Sequence, residues 1–254
     1  MNTLKKSALV AMVIIFSLSI NSTGWAEEES PFSGSIGIVF ADKYLSDSGI
    51  NASAGKAIYQ PDFYLAYDSR FGLFSLELWG SFQFEGTFRD EYANEIDYII
   101  SWQKNFKWAL IQIGFDYIDC AQLLGNKEGD VAEWIIDVNH EFSLGENGDT
   151  LTPYIRLEWN ELIGMGDTSS NLLMGLVHGH AINEDFFLSN KIAIIFDDGK
   201  DTDAGTIGLF QTTLSYALRE NLSLDLMGKI TSPLIDADDR DTEWLMASGI
   251  TWTF

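Results

Sequence analysis

Three histidines, one cysteine and a surplus of carboxylates are the residues of this 254-residue chain that could do chemistry. His178 and His180, in "LVHGHAI", stand two apart. On a β-strand that spacing turns both rings to one face, which suits a metal ligand pair or a catalytic base. They share parity with Leu172, Met174 and Leu176, however, so they fall on an apolar face close to a chain reversal, where an interfacial position explains them. Nucleophilic catalysis needs an activated hydroxyl within hydrogen-bond reach of the base. His178 is followed two residues on by His180, and His140 in "NHEF" by Glu141 and Phe142, so neither neighbourhood supplies a serine. The acidic stretches "DDGKDTDAG" and "DADDRDTE" gather carboxylates without the spacing of a calcium loop, which reads as solvated loop acid. Cys120 has no second thiol to pair with and no evident role. No catalytic, metal or cofactor-binding residue is expected, and an enzyme ranks third among the readings below.

The elements that must position these residues are marked out by the ends and by the charge. "MNTLKKSALVAMVIIFSLSINSTGWA" has Lys5 and Lys6 ahead of an apolar run from Ala8 to Ile20, then small residues up to Ala26, the three-part layout of a secretory signal peptide cut after residue 26. The apolar run is shorter than the ~20 residues that span a bilayer as a helix. Losing two lysines moves the formal charge from -23 to about -25. So acidic a chain repels nucleic acid and anionic lipid headgroups. The segment 27–254 is expected to be one domain.

Within that segment the period is two almost everywhere. In "TPYIRLEWN", Ile155, Leu157 and Trp159 alternate with Tyr154, Arg156, Glu158 and Asn160. In "NEIDYIISW", Ile96, Tyr98, Ile100 and Trp102 alternate with Glu95, Asp97 and Ser101. Twelve such segments are predicted, at Ser33–Leu45, Ala57–Ser69, Phe71–Phe84, Asn94–Asn105, Trp108–Cys120, Val131–Ser143, Thr152–Gly164, Ser170–Ile182, Phe186–Phe196, Gly205–Leu218, Leu222–Pro233 and Thr242–Phe254. Short links ("SRF", "NFK", "NED" and "REN", with "LGENGD" somewhat longer) alternate with long polar ones such as "SDSGINASAGK" and "AQLLGNKEGD". An even number of ~10-residue alternating strands with aromatic ends, short turns on one side and long loops on the other, points to an all-β transmembrane antiparallel β-barrel. A soluble sandwich or lipocalin-like barrel also alternates. It would not need an apolar, aromatic-rich face on all twelve strands.

The polar parity collects Asp62, Glu77, Glu95, Asp97, Asp116, Glu133, Asp137, Glu141, Glu158 and Asp225 against Arg156, Lys191 and Lys229, ten acids to three bases. These are the candidate lumen-lining residues. If water fills the lumen, the excess of carboxylates favours cations. A structural network in which Arg156 and Lys229 pair with neighbouring acids, and nothing passes, is the competing reading.

The sequence closes on "SGITWTF". Trp252 and Phe254 share the outward parity with Trp244, Met246 and Ile250, and this strand is expected to close the barrel against "SGSIGIVFA". A C-terminal strand ending in Phe resembles the signal that barrel-assembly machinery recognises, so Trp252 and Phe254 are read as an assembly signal. That machinery, periplasmic chaperones and outer-membrane lipid are the expected partners, and nucleic acid is not. In the first third, Tyr44, Pro61, Gly72, Trp79, Gly80, Glu95, Asp97 and Tyr98, within "FADKYLSDSG", "AIYQPDFYLAYDSRFGLFSLELWGSFQF" and "NEIDYIISW", make the chain resemble the Gcw_chp family of proteobacterial outer-membrane barrels. Where that family often has Arg-Gly after the loop aromatic, this chain has "YLSDSG". The resemblance implies a barrel in a Gram-negative outer membrane and no particular activity. The function expected is a narrow passive channel for small polar or cationic solutes; the alternatives are a non-conducting structural or surface-interaction barrel and, behind it, a lipid-modifying enzyme.

Overall fold

A computed structural model describes residues 30–47, 49–84, 94–120, 130–145, 148–198, 205–235 and 241–254. The signal-peptide segment 1–26 lies outside the described residues, as do most of the two acidic stretches, 199–204 and 236–240. Residues 32–254 form one compact unit, the barrel.

Its strands are β1 (Phe32–Ala41), β2 (Ile58–Ser69), β3 (Gly72–Gln83), β4 (Glu95–Asn105), β5 (Leu110–Asp119), β6 (Val131–Asn139), β7 (Phe142–Ser143), β8 (Thr150–Leu162), β9 (Thr168–Ala181), β10 (Phe186–Asp197), β11 (Gly205–Arg219), β12 (Leu222–Ile235) and β13 (Glu243–Thr253). Each pairs antiparallel with its neighbours, β1 pairs with β13, and β6 and β7 both pair with β8. The sheet therefore closes as twelve staves, with β7 a two-residue continuation of β6. Closure leaves no strand edge with unpaired backbone groups, the condition for a sheet in hydrocarbon.

The alternation decides which way the staves face. Large apolar side chains stand out on the exterior of nearly every strand: Ile100, Trp134, Trp159, Ile192 and Leu226 are each more than half exposed. Their strand neighbours Asp97, Glu133, Glu158, Lys191 and Lys229 turn inward and are buried or half-buried. This is a soluble protein turned inside out, and an apolar band of this extent matches lipid. Aromatic rings gather at both ends of the wall. Phe32 with Tyr67, Phe106 with Trp108, Phe186 with Tyr216, and Trp252 with Phe254 mark the short-turn end. Phe40 with Phe84, and Tyr59 with Phe84, mark the other.

Three details depart from the periodicity. The first strand stops at Ala41 rather than running to Leu45, because the chain turns into the barrel there. The stave predicted as Val131–Ser143 is interrupted at His140 and Glu141. The ladder between β2 and β3 skips from Tyr59 opposite Phe82 to Asp62 opposite Trp79 without losing register. Pro61 sits in that gap and has no N–H to give to a ladder.

The interior is also less uniformly polar than alternation implies. Leu173, Ala193, Ile195, Ile207 and Leu209 form a buried cluster on the inner wall of β9, β10 and β11, with Tyr154 against it. A second inner cluster joins Ala41, Ile58, Leu245 and Ala247 to Leu45, which belongs to no strand.

Candidate functional site

Leu45 reaches that cluster because the link between β1 and β2, residues 42–57, folds into the barrel instead of standing over it. Its base is stitched to β13: the Asp42 N–H donates to the Met246 carbonyl, the Met246 N–H donates to Asp42 Oδ1, and Lys43 meets Glu243 at 2.7 Å. Leu45 then bridges to Asn51, the Ser46 N–H and Ile50 carbonyl close the tip at 3.0 Å, and Ser53 is fully buried. Gly49 has φ +85, and a Cβ there would lie 3.2 Å from Thr231 Oγ1 on β12. The tip thus sits directly against the inner wall, which is why only glycine fits.

Two charged contacts fasten the loop across the lumen. Lys229 Nζ donates to Asp47 Oδ1 at 2.6 Å and to the Leu45 carbonyl at 2.9 Å, and Lys191 Nζ donates to Asp47 Oδ2 at 3.1 Å. The lysines flank Gln211 in the register of β10, β11 and β12, so Asp47 closes a gap between two positive charges on one wall. On the opposite side Tyr44 donates its hydroxyl to Glu95 on β4. Burial first, and Glu95 second, push the Tyr44 hydroxyl well above its usual range, so it remains a proton donor.

Burial would raise the Asp47 carboxyl, but Lys229 and Lys191 outweigh it and hold the group well below the ordinary carboxylate range. A lowered native value means that the stabilisation is complete above the unfolded-state value of about 4 and fades only as pH falls towards the native one. Amide hydrogen exchange of residues 44–53, corrected for intrinsic rate, is therefore expected to stay constant from neutral pH down to about 4 and to accelerate only in stronger acid.

The remaining interior charges divide by wall. Asp62 on β2, Glu77 on β3, Glu95 and Asp97 on β4, Asp116 on β5 and Glu133 on β6 occupy five successive staves. Asp62 faces Trp79 and Trp79 faces Asp97 across the ladder; Asp116 stands directly opposite Glu133, a like-charge pair. Among the described residues none of these six carboxylates has an ion pair. The three interior bases are on the other side. Arg156 on β8 holds Asp137 at 3.1 Å and Glu158 at 3.8 Å, while Lys191 and Lys229 hold Asp47. Asp225 lies apart, opposite Ser215 and Gly249 nearer the short-turn end. Glu141 is exposed in the break between β6 and β7 and does not join the interior set, because the ladder that would turn it inward is interrupted there.

Twelve of the thirteen candidate residues thus share the inward parity of their strands, with Asp225 apart from the rest, and the loop adds Tyr44 and Asp47, which periodicity did not flag. The signal for Asp47 was present in the inward lysines, since buried cations need a counter-charge. Its sequence position, in a polar link that resembles a surface loop, hid it.

The histidines lie elsewhere. His180 Nδ1 contacts Asp149 at 2.6 Å, its ring stacks near that of His178, and His140 packs edge-on against Phe142. Each has a carboxylate or a ring as its neighbour, at the short-turn end. Burial, with the acids around it, pushes the Cys120 thiol up to about 12, which leaves it unreactive at neutral pH. Among the described residues no three His, Cys, Asp or Glu side chains are placed to hold a metal ion.

No family model matches the chain, and no curated protein does. Solved structures do. A NanC porin aligns with 85% of this chain and 98% of its own at a TM-score of 0.54 and 10% identity. A bacterial polysaccharide outer membrane secretin aligns with 90% and 99% at 0.52 and 8%. An outer membrane channel from Pseudomonas putida F1 aligns with 92% and 99% at 0.51 and 10%. At such identities the likeness is one of fold: this chain has the closed barrel of outer-membrane proteins.

Proposed function

We propose that the barrel is a narrow passive channel of a Gram-negative outer membrane, admitting small polar and preferably cationic solutes past the inward loop 42–57. The observation that carries this reading is the division of the interior charge. All three bases are neutralised by acids beside them, whereas the six carboxylates from β2 to β6 face the lumen with no ion pair among the described residues. Uncompensated charge of one sign is costly in a dry interior. Water and mobile cations are the compensation that a lumen provides, and a carboxylate-lined wall then favours cations over anions. The names of the porin and channel neighbours agree with that reading. The competing barrel that conducts nothing would use the same loop and acids as a plug.

Planar-bilayer recordings across a KCl gradient separate the two. The channel reading expects discrete conductance steps and a reversal potential on the cation side; silence or anion preference overturns it. The combined variant Glu95→Gln, Asp97→Asn and Glu133→Gln is expected to fold and to lose most of that preference. If the acids belong to a plug, the variant changes stability and leaves the bilayer silent.

Assembly belongs to the same proposal. Trp252 and Phe254 end β13 as an outward aromatic pair, 5.1 Å between centroids, which fits the motif that barrel-assembly machinery receives from periplasmic chaperones. The motifs shared with Gcw_chp barrels support the location and add no activity.

A further inference from the structure

We infer that the acidic wall of the lumen is a binding site for linear aliphatic polyamines, seated between the carboxylates of β2 to β6 and the rings of Trp79, Tyr44 and Tyr64. The inference deepens the channel reading and rests on it. Carboxylates alone would not make a site, and three further observations point to a ligand. Ser81 is fully buried, shares the inward parity of Glu77 and Trp79, stands opposite Glu95, and its hydroxyl has no hydrogen-bond partner. One carboxylate oxygen of Asp97 and one of Asp116 are likewise buried without a partner, in side chains only 9% and 5% exposed. Buried polar atoms are normally satisfied; orphans occur on other staves too, at Asn160, Asn171 and Thr231, but those on this wall stand beside carboxylates that lack an ion pair among the described residues, and there they mark the place of missing donors. An ammonium group brings three donors and no acceptor, which is the complement of this set.

The chemistry of the wall selects among cations. No three of the described acids converge closely enough for a metal ion. They are instead dealt out stave by stave, and with neighbouring strands ~4.8 Å apart the five staves spread them over roughly 20 Å of inner surface. A chain of ammonium groups separated by methylenes matches such a row, and a compact metal ion does not. The rings supply the rest. Trp79 lies between Asp62 and Asp97 in the register, Tyr44 packs 6.0 Å from it at 55°, and Tyr64 stands opposite Glu77. Aromatic faces beside carboxylates hold alkylammonium groups by cation–π attraction and accept their methylenes.

The test is calorimetric titration of the refolded full-length barrel in detergent micelles with spermidine. Saturable binding is expected, weakened at least about tenfold in Asp97→Asn/Asp116→Asn, weakened also in Trp79→Leu, which leaves every charge in place, and unchanged in Glu184→Gln at an exposed turn. Folding of each variant is checked by its gel mobility before and after heating. No saturable binding, equal binding by the Asp97→Asn/Asp116→Asn protein, or full displacement of spermidine by equimolar Mg²⁺ overturns the inference. Binding in micelles needs no current, so a barrel that conducts KCl but ignores spermidine sinks this inference alone, and one that binds spermidine but stays silent in bilayers sinks the channel reading alone.

Discussion

Asp47→Asn is expected to release the inward loop and raise the single-channel conductance. The substitution keeps the size of the side chain and removes the charge that two lysines share, at 2.6 and 3.1 Å. Lys229, 7% exposed, is then left buried with a backbone carbonyl as its main partner. Losing one partner of a fully buried ion pair costs roughly 3–5 kcal/mol. Exposed pairs are worth under about 1 kcal/mol. The Asp47 side chain is 38% exposed, so this latch falls between the two. A cost of about 2 kcal/mol lowers the ratio of docked to undocked loop by a factor of about 30. The readouts are the conductance and the amide exchange of residues 44–53, both of which rise. Removing the stranded charge as well, in Asp47→Asn/Lys229→Met, restores part of the lost barrel stability, because the two positions couple through one contact. If Asp47→Asn leaves conductance and exchange untouched, the loop is held by Leu45, Tyr44 and the Lys43–Glu243 contact, and the latch assigned to Asp47 is wrong.

The barrel was legible in the sequence because one period governs it. Hydrophobic alternation fixes both the strand and its inward face, so Glu95, Asp97, Glu133 and Arg156 could be put on one side of the wall without knowledge of any contact. Closure followed from the same pattern, since an apolar exterior and an open edge are incompatible in lipid. What stayed hidden has non-local causes. Whether a polar link stands up or folds in depends on partners 144 and 182 residues away, Lys191 and Lys229. The inner apolar cluster of Leu173, Ile195 and Ile207 escaped because strands apolar on both faces blur their own parity. The division of the interior into an acidic and a basic wall is a property of stave order, visible only once neighbours are known.

The seam between the first and last strands is where an added side chain should do most damage, and Gly34→Val is expected to abolish folding of most of the protein. Ser35 pairs with Thr253, and Gly34 exchanges both backbone hydrogen bonds with Phe254 at 3.0 Å. The Phe254 ring lies over Gly34: a Cβ added there would sit 2.6 Å from Phe254 Cζ and 2.6 Å from the Tyr64 carbonyl oxygen. The ring can swing away, but the carbonyl belongs to the β1–β2 ladder and cannot, so the substitution must part either that ladder or the seam. Overpacking in a core costs typically about 1–3 kcal/mol. Here the loss is larger, because each backbone group freed in hydrocarbon costs several kcal/mol, and a parted seam frees a row of them. Gly228→Ala is the control, also on the outer face: its Cβ meets the Met246 sulfur at 3.6 Å, an ordinary contact. Heat-modifiable mobility after refolding into lipid should show folded barrel for Gly228→Ala and little for Gly34→Val. Phe254→Ala in the Gly34→Val background removes the ring and leaves the carbonyl clash, so folding is expected to remain poor; recovery would show that the ring alone was the obstacle, and that the seam tolerates a displaced β1.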